Sequence, residues 1–274
     1  MRYYTRRRLN ALVILGAVTI IFLIFIEGFR VTLRNPHMLS GWIFLAVMTF
    51  LALFNVRKKF PVPPLGPSRL WLQVHIYGGA FTIVPYLFHV GLKVPTGFFD
   101  QLLALFYFAV LISGVVGLVM TRVFPRRLTA NGEEVVFERL PEHRKMIREA
   151  VDRLAEESIV ETQSSTISTF YTERLRSFFD GPRYMFHHIF EVAPPLNRIL
   201  VEIEDQYRYL NDDEKKILEK IAVYVRKKNG LDYQYALQFA LKTWLFLHIP
   251  LTSGLFVLII FHVWMTHAFS GRVL

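Results

Sequence analysis

HIYGGAFTIVPYLFH, His75–His89, is an apolar stretch that opens and closes on histidine, and the fold turns on how it is read. A second stretch, HIPLTSGLFVLIIFH (His248–His262), repeats the arrangement with the same fourteen-residue spacing. On a helix, fourteen residues turn about 1400°, roughly 40° short of four full turns, and climb about 21 Å. Both histidines of each stretch therefore share one face, near opposite ends of a bilayer core about 30 Å thick, which takes about 20 helical residues to cross.

Five stretches are apolar and long enough for such a crossing: Leu9–Phe29, Met38–Val56, Leu70–Leu92, Phe99–Met120 and Thr243–Ala268. The first lacks a small-residue cleavage site and is followed by further apolar runs, so it reads as a retained helix and not as a signal peptide. The composition agrees with a membrane protein: of 274 residues, 53% are hydrophobic and 15% aromatic, yet the formal net charge is +10. Nucleic-acid binding is not expected from that charge, because of where it lies. The hydrophilic insert 121–242 carries 20 basic and 20 acidic residues, so the whole excess sits on the remaining 12 basic residues against Glu27 and Asp100.

The placement of Lys and Arg beside the apolar stretches sets a topology by the positive-inside rule. Arg2, Arg6, Arg7 and Arg8 precede the first stretch, Arg57, Lys58, Lys59 and Arg69 separate the second and third, and Arg122, Arg126 and Arg127 follow the fourth. The opposite loops hold only Arg30, Arg34, Lys93 and Arg272. The expectation is a multi-pass protein of the inner (cytoplasmic) membrane, with the N-terminus and the insert cytoplasmic and the C-terminus outside. Three segments follow: spans one to four (1–120), a mostly helical insert (121–242), and the fifth span with a short outer tail (243–274). The third and fifth spans then run parallel, placing His75 opposite His248 and His89 opposite His262.

Within the insert, Leu196, Ile199, Leu200, Ile203, Tyr207 and Leu210 mark one helical face of 194–210. Asp212, Asp213 and Glu214 open a further helix, and Arg226, Lys227, Lys228 and Gly230 predict its end. Asn131-Gly132 signals a turn, in keeping with a short hairpin. Pro85 and Pro250 predict kinks.

Ionisable side chains inside a bilayer are costly and mark function. Neutral imidazole is a common iron ligand, and two facing imidazoles can ligate one planar porphyrin from both faces. The pattern therefore predicts an all-α integral membrane protein of five transmembrane helices, with a four-helix bundle holding two b-type haems through His75, His248, His89 and His262. With no cysteine, disulfides, thiolate zinc sites, ordinary iron–sulfur clusters, covalent c-type haem and a cysteine nucleophile are excluded. Gly78, Gly79, Gly114 and Gly117 suit either a porphyrin approaching the backbone or close helix packing. Arg69, Arg122 and Lys242 suit propionate pairing inside, or ordinary topogenic charge. His37 lies in the outer loop, where it could meet a quinone or an outer donor. His143 and the pair His187-His188 show no metal-ligand pattern.

The run from His75-Ile-Tyr-Gly-Gly-Ala to His89-Val-Gly91 resembles the second helix of the cytochrome b subunit of quinol:cytochrome c oxidoreductases. That helix carries a glycine shortly after its first ligand and His-Val-Gly at its second. His248, His262, His267 and Ser270-Gly271 resemble that family's fourth helix, where the extra histidine lies by a quinone pocket; the resemblance implies a quinone contact for His267, which can equally be an interfacial histidine at a span end. The chain departs from that family in its additional first span, its lack of a Pro-Glu-Trp-Tyr type of motif, and its inverted ligand order. In carrying ligands on spans three and five it is as similar to the ferric reductase and NADPH oxidase transmembrane domains.

What both resemblances imply is electron transfer across the membrane. The partners implied are quinone or quinol and a periplasmic c-type cytochrome or iron–sulfur subunit, within a respiratory or photosynthetic complex. A transmembrane ferric or oxygen reductase subunit fed by a separate flavoprotein is the first alternative. A haem-free membrane scaffold or transporter component is the second.

Overall fold

The computed structural model describes residues 2–31, 36–59, 67–130, 135–192 and 196–270. Expectations resting on Arg34, Asn131-Gly132, Pro194, Gly271 and Arg272 lie outside the described residues, as do those resting on the side chains of Arg2, Arg7, Arg8, Arg57, Lys58, Lys59 and Ser270. Every regular element among the described residues is helical, and four helices are long and apolar enough to cross a membrane. The chain is a multi-pass, all-helical membrane protein. It divides into two compact units: unit 1, of residues 1–118 and 247–274, and unit 2, of residues 119–246.

In unit 1, helix α1 (Arg2–Val31) precedes α2 (Pro36–Lys59). The third apolar stretch departs from the expected single helix: it forms α3 (Ser68–Phe81) and α4 (Ile83–Val90), with Thr82 between them. The cause is Pro85, which has no N–H to give the carbonyl four residues back and whose ring crowds it. Thr82 keeps right-handed helical dihedrals (φ −57°, ψ −23°), so α4 continues from α3 across a local break. The break is closed by polar contacts. Thr82 Oγ1 donates to the Gly79 carbonyl at 2.6 Å and accepts from the Tyr107 hydroxyl at 3.1 Å.

Helix α5 (Phe98–Ala130) supplies Tyr107, which stacks on Tyr86 with ring centroids 4.4 Å apart. Around them pack Met48 and Leu255, while Phe22, Ile26 and Phe81 join the first three helices in a second cluster. Ile14, Ile24, Ile112 and Ile260 stay exposed, the lipid-facing pattern of a protein whose solvent is hydrocarbon.

Unit 2 is built mainly from α6 (Leu140–Thr162), α7 (Thr166–Phe170), a π-helical turn at Tyr171–Leu175, α8 (Arg176–Phe179), α9 (Met185–Phe190) and α10 (Leu196–Gln206). The first part of α11 (Asp212–Ser270) completes it. The face expected on α10 does pack: Ile203 and Leu210 are buried, with Leu196, Ile199, Leu200 and Tyr207 against them. Helix α11 opens on a capping box, in which Asn211 Oδ1 accepts from the Glu214 N–H and Glu214 Oε2 from the Asn211 N–H, both at 2.8 Å.

The stop predicted at Gly230 does not occur, and α11 runs on through Ser270. A glycine inside a helix costs only about 1 kcal/mol, and tertiary contacts on either side of Gly230 offset it. The Lys228 ammonium pairs with Asp232 one turn on, both fully buried, and Leu237 is buried with Phe124 and Leu128. Pro250 lies inside α11 without interrupting it, so of the two expected prolines only Pro85 breaks its helix.

Candidate functional site

The four histidines of the two fourteen-residue stretches meet in two pairs within unit 1. His89 on α4 and His262 on α11 face each other with ring centroids 6.0 Å apart and planes at 85°. His75 on α3 lies close enough to His248 on α11 for the two rings to interact electrostatically. Low number meets low and high meets high, so α3–α4 and the last part of α11 run parallel.

Three of the four rings are hydrogen-bonded through Nδ1 to a group on another helix, and the fourth has a carboxylate near that nitrogen. His75 Nδ1 donates to the Leu51 carbonyl of α2 at 3.2 Å, and His89 Nδ1 to the His37 carbonyl at the start of α2 at 2.9 Å. His248 Nδ1 bonds the Ser113 hydroxyl of α5 at 3.1 Å, and His262 Nδ1 lies 3.7 Å from Asp100 Oδ1. A proton held on Nδ1 leaves the lone pair on Nε2, and an outer partner on Nδ1 fixes the tautomer and the ring orientation of a ligating histidine. In each pair, the two imidazoles come from different helices.

Around His89 the fit is tight. A Cβ on Gly41 would stand 2.7 Å from the His89 ring, so α2 can approach only because that position is glycine. Helix α4 then ends on Gly91 at φ 73°, a conformation glycine adopts without strain. The Phe88 carbonyl left over at that helix end accepts from His37 Nδ1 at 2.8 Å. His37, expected in an outer loop, is thus a helix residue whose backbone and ring both secure the end of α4.

The remaining expected residues are placed as follows. Gly78 packs under Leu51, whose Cδ2 would be 2.9 Å from an added Cβ; Gly79 meets nothing within 4 Å, and Gly114 faces His248 at ordinary contact distance. Gly117 is buried on α5, and Arg69 is exposed at the start of α3. Arg122 and Lys242 belong to unit 2. There Arg122 is exposed, while Lys242 bonds Glu138 at 2.6 Å and sits 4.0 Å above the Phe137 ring. His267 Nδ1 donates to the Val263 carbonyl at 2.8 Å, with the Trp42 ring edge-on at 5.7 Å.

Sequence reasoning passed over Gly41, Ser113 and Asp100. Ser113, a hydroxyl within an apolar run, and Asp100, one of two acids outside the insert, gave a readable signal; Gly41 gave none. Among the described residues no three or more His, Asp or Glu side chains gather as a metal-ion cluster, so what the site offers is pairs. Compared with protein-family models, curated proteins and solved structures, the chain matches none.

Proposed function

We propose that this protein is an integral-membrane dihaem b-type cytochrome that carries electrons across the bilayer between the quinone pool and a partner redox protein. The observation that carries the reading is the double pairing of His75 with His248 and His89 with His262, with His75, His89 and His248 hydrogen-bonded through Nδ1 and Asp100 near that nitrogen of His262. Two imidazoles on opposite faces of one metal ion, each bonded at about 2 Å, have centroids roughly 6 Å apart. The separation of His89 and His262 is 6.0 Å.

Haem iron, when bound, supplies one-electron chemistry at potentials set by its ligands and surroundings. The chain's own residues do the rest. His75 and His248 would hold one group through Nε2 and His89 and His262 the other, the two layers separated by fourteen residues, about 21 Å of helix. The Leu51 and His37 carbonyls, the Ser113 hydroxyl and the Asp100 carboxylate keep the rings turned inward. The lipid-facing isoleucines and leucines exclude water and counter-ions between the layers.

In this reading α3 and α4 together make a fifth span, the insert lies on the cytoplasmic side of the inner membrane, and the C-terminus lies outside. Gly79 and Gly114 leave room beside the rings, and Arg69 is a propionate partner. His267 is a quinone contact. The outer partner is a periplasmic c-type cytochrome or an iron–sulfur subunit.

Anaerobic reduction of the purified protein by a quinol, followed by absorbance, tests the assignment. Reduction of b-type bands by quinol supports it. Reduction only through a flavoprotein reassigns the chain as a reductase subunit, and labelling of the C-terminus from the cytoplasmic side would overturn the orientation.

A further inference from the structure

Helix α9 is turned inside out for an aqueous surface. Its polar His188 is buried at 4% exposure, whereas Phe186 and Phe190, one turn apart on the opposite face, are 76% and 71% exposed, and Val192 just beyond is 57% exposed. Contiguous exposed apolar side chains mark an interaction surface.

The helix is fastened to α5. Arg127 donates to the His188 carbonyl at 2.6 Å and the Ile189 carbonyl at 2.8 Å and pairs with Glu191 at 2.7 Å. Ile189 packs on the cluster of Phe124, Leu128 and Leu237. The apolar run Phe99–Met120, long enough for one crossing, ends at Met120, and the first charge after it is Arg122. Phe124 and Leu128 then lie about 6 and 12 Å past Met120 along the helix, at the depth of a headgroup layer about 5–8 Å thick and just beyond it. Arg122 and Arg126, exposed on α5 at that level, suit lipid phosphates.

We infer that α9 is an interfacial foot, and that its partner is the lipid surface of the same bilayer that α5 crosses, with Phe186 and Phe190 inserted among headgroups and upper acyl chains. The bilayer is favoured over a protein partner by continuity: the patch is tied within two turns to the basic margin of a membrane-crossing helix. A short helix lying in the interface, apolar face toward the acyl boundary, is an established mode of membrane contact. The inference uses the membrane character of the chain and no cofactor, so it stands or falls apart from the haem reading.

The chain has no cysteine, so Phe186→Cys, Phe190→Cys and Val160→Cys each create one unique labelling position on an exposed side chain, Val160 being 81% exposed on α6. The full chain, spin-labelled and held in nanodiscs of three parts phosphatidylcholine to one part phosphatidylglycerol, is tested for collision with oxygen, which concentrates in lipid, and with a water-soluble nickel chelate. Oxygen is expected to exceed nickel at 186 and 190, with the ratio inverted at 160. Labels at 186 and 190 that meet nickel as readily as the label at 160 would overturn the foot. Labels shielded from both reagents would overturn it in favour of a protein partner.

Discussion

His89 and His37 hold each other: the ring of His89 donates to the backbone carbonyl of His37 at 2.9 Å, and the ring of His37 donates back to the carbonyl preceding His89 at 2.8 Å. The exchange ties the end of α4 to the start of α2 and fixes the His89 ring. It requires Gly41, whose missing Cβ is the space the ring occupies.

Gly41→Ala therefore displaces His89 from the His37 carbonyl. The expected result is loss of one haem of two, the pair held by His75 and His248 remaining, read as haem per chain in a pyridine haemochrome assay. Two haems with unaltered bands would show that the ring does not need this position.

Asp100 places a carboxylate 3.7 Å from His262 Nδ1, where it would make the imidazole of a haem-bound His262 a stronger donor. Asp100→Asn is expected to raise the midpoint of one haem by roughly 40–60 mV, the order of a 1 kcal/mol charge interaction for one electron, and to leave the other unmoved. Equal shifts in both, or none, would remove Asp100 from the ligand's surroundings.

In unit 2 burial, reinforced by the Lys228 ammonium, lowers the His188 pKa to about 4, and its Nε2 has no hydrogen-bond partner. The unfolded chain, with His near 6.5, takes up this proton at higher pH than the folded one. The contribution to stability is thus full above about pH 6.5 and lost as pH falls toward 4, amounting to about 2–3 kcal/mol. Equilibrium unfolding from pH 4 to 7 should show this slope and His188→Asn should flatten it; an identical slope in the variant would assign it elsewhere.

Lys228 and Asp232 form a fully buried ion pair, joined by the Gly181 carbonyl at 2.7 Å from the ammonium. Asp232→Ala strands that ammonium and is expected to cost about 3–5 kcal/mol, whereas Lys228→Met with Asp232→Leu costs far less. Comparable losses in the two variants, by thermal unfolding, would show that the cost is packing and not charge.

Gly230→Ala is expected to stabilise the chain by about 0.5–1 kcal/mol, because an added Cβ meets nothing within 4 Å and α11 is helical there. A loss of stability would restore the helix end predicted at that glycine.

The apolar runs at 9–29, 38–56 and 99–120 were legible because length and composition alone decide whether a helix can cross. Pro85 announced a disturbance, but the break falls at Thr82, where the carbonyls upstream of the proline lose their donors. The continuity of α11 was hidden: Arg226, Lys227, Lys228 and Gly230 spell a helix end, and only the partners of Asp232 and Leu237 override it. In the site, the fourteen-residue histidine spacing was legible and the supports were not. The carbonyls of Leu51 and His37 carry no sequence signature, and the need for Gly41 arises only once α2 and α4 are side by side.

Whether four histidines hold two haems in two layers is read from the haem content of single variants. In the reduced-minus-oxidised spectrum of the purified protein, the wild-type chain should carry two b-type haems. His89→Leu and His262→Leu should remove one and the same component, and His75→Leu and His248→Leu the other. A chain without b-type bands, or bands indifferent to these substitutions, would rule out haem ligation by these histidines.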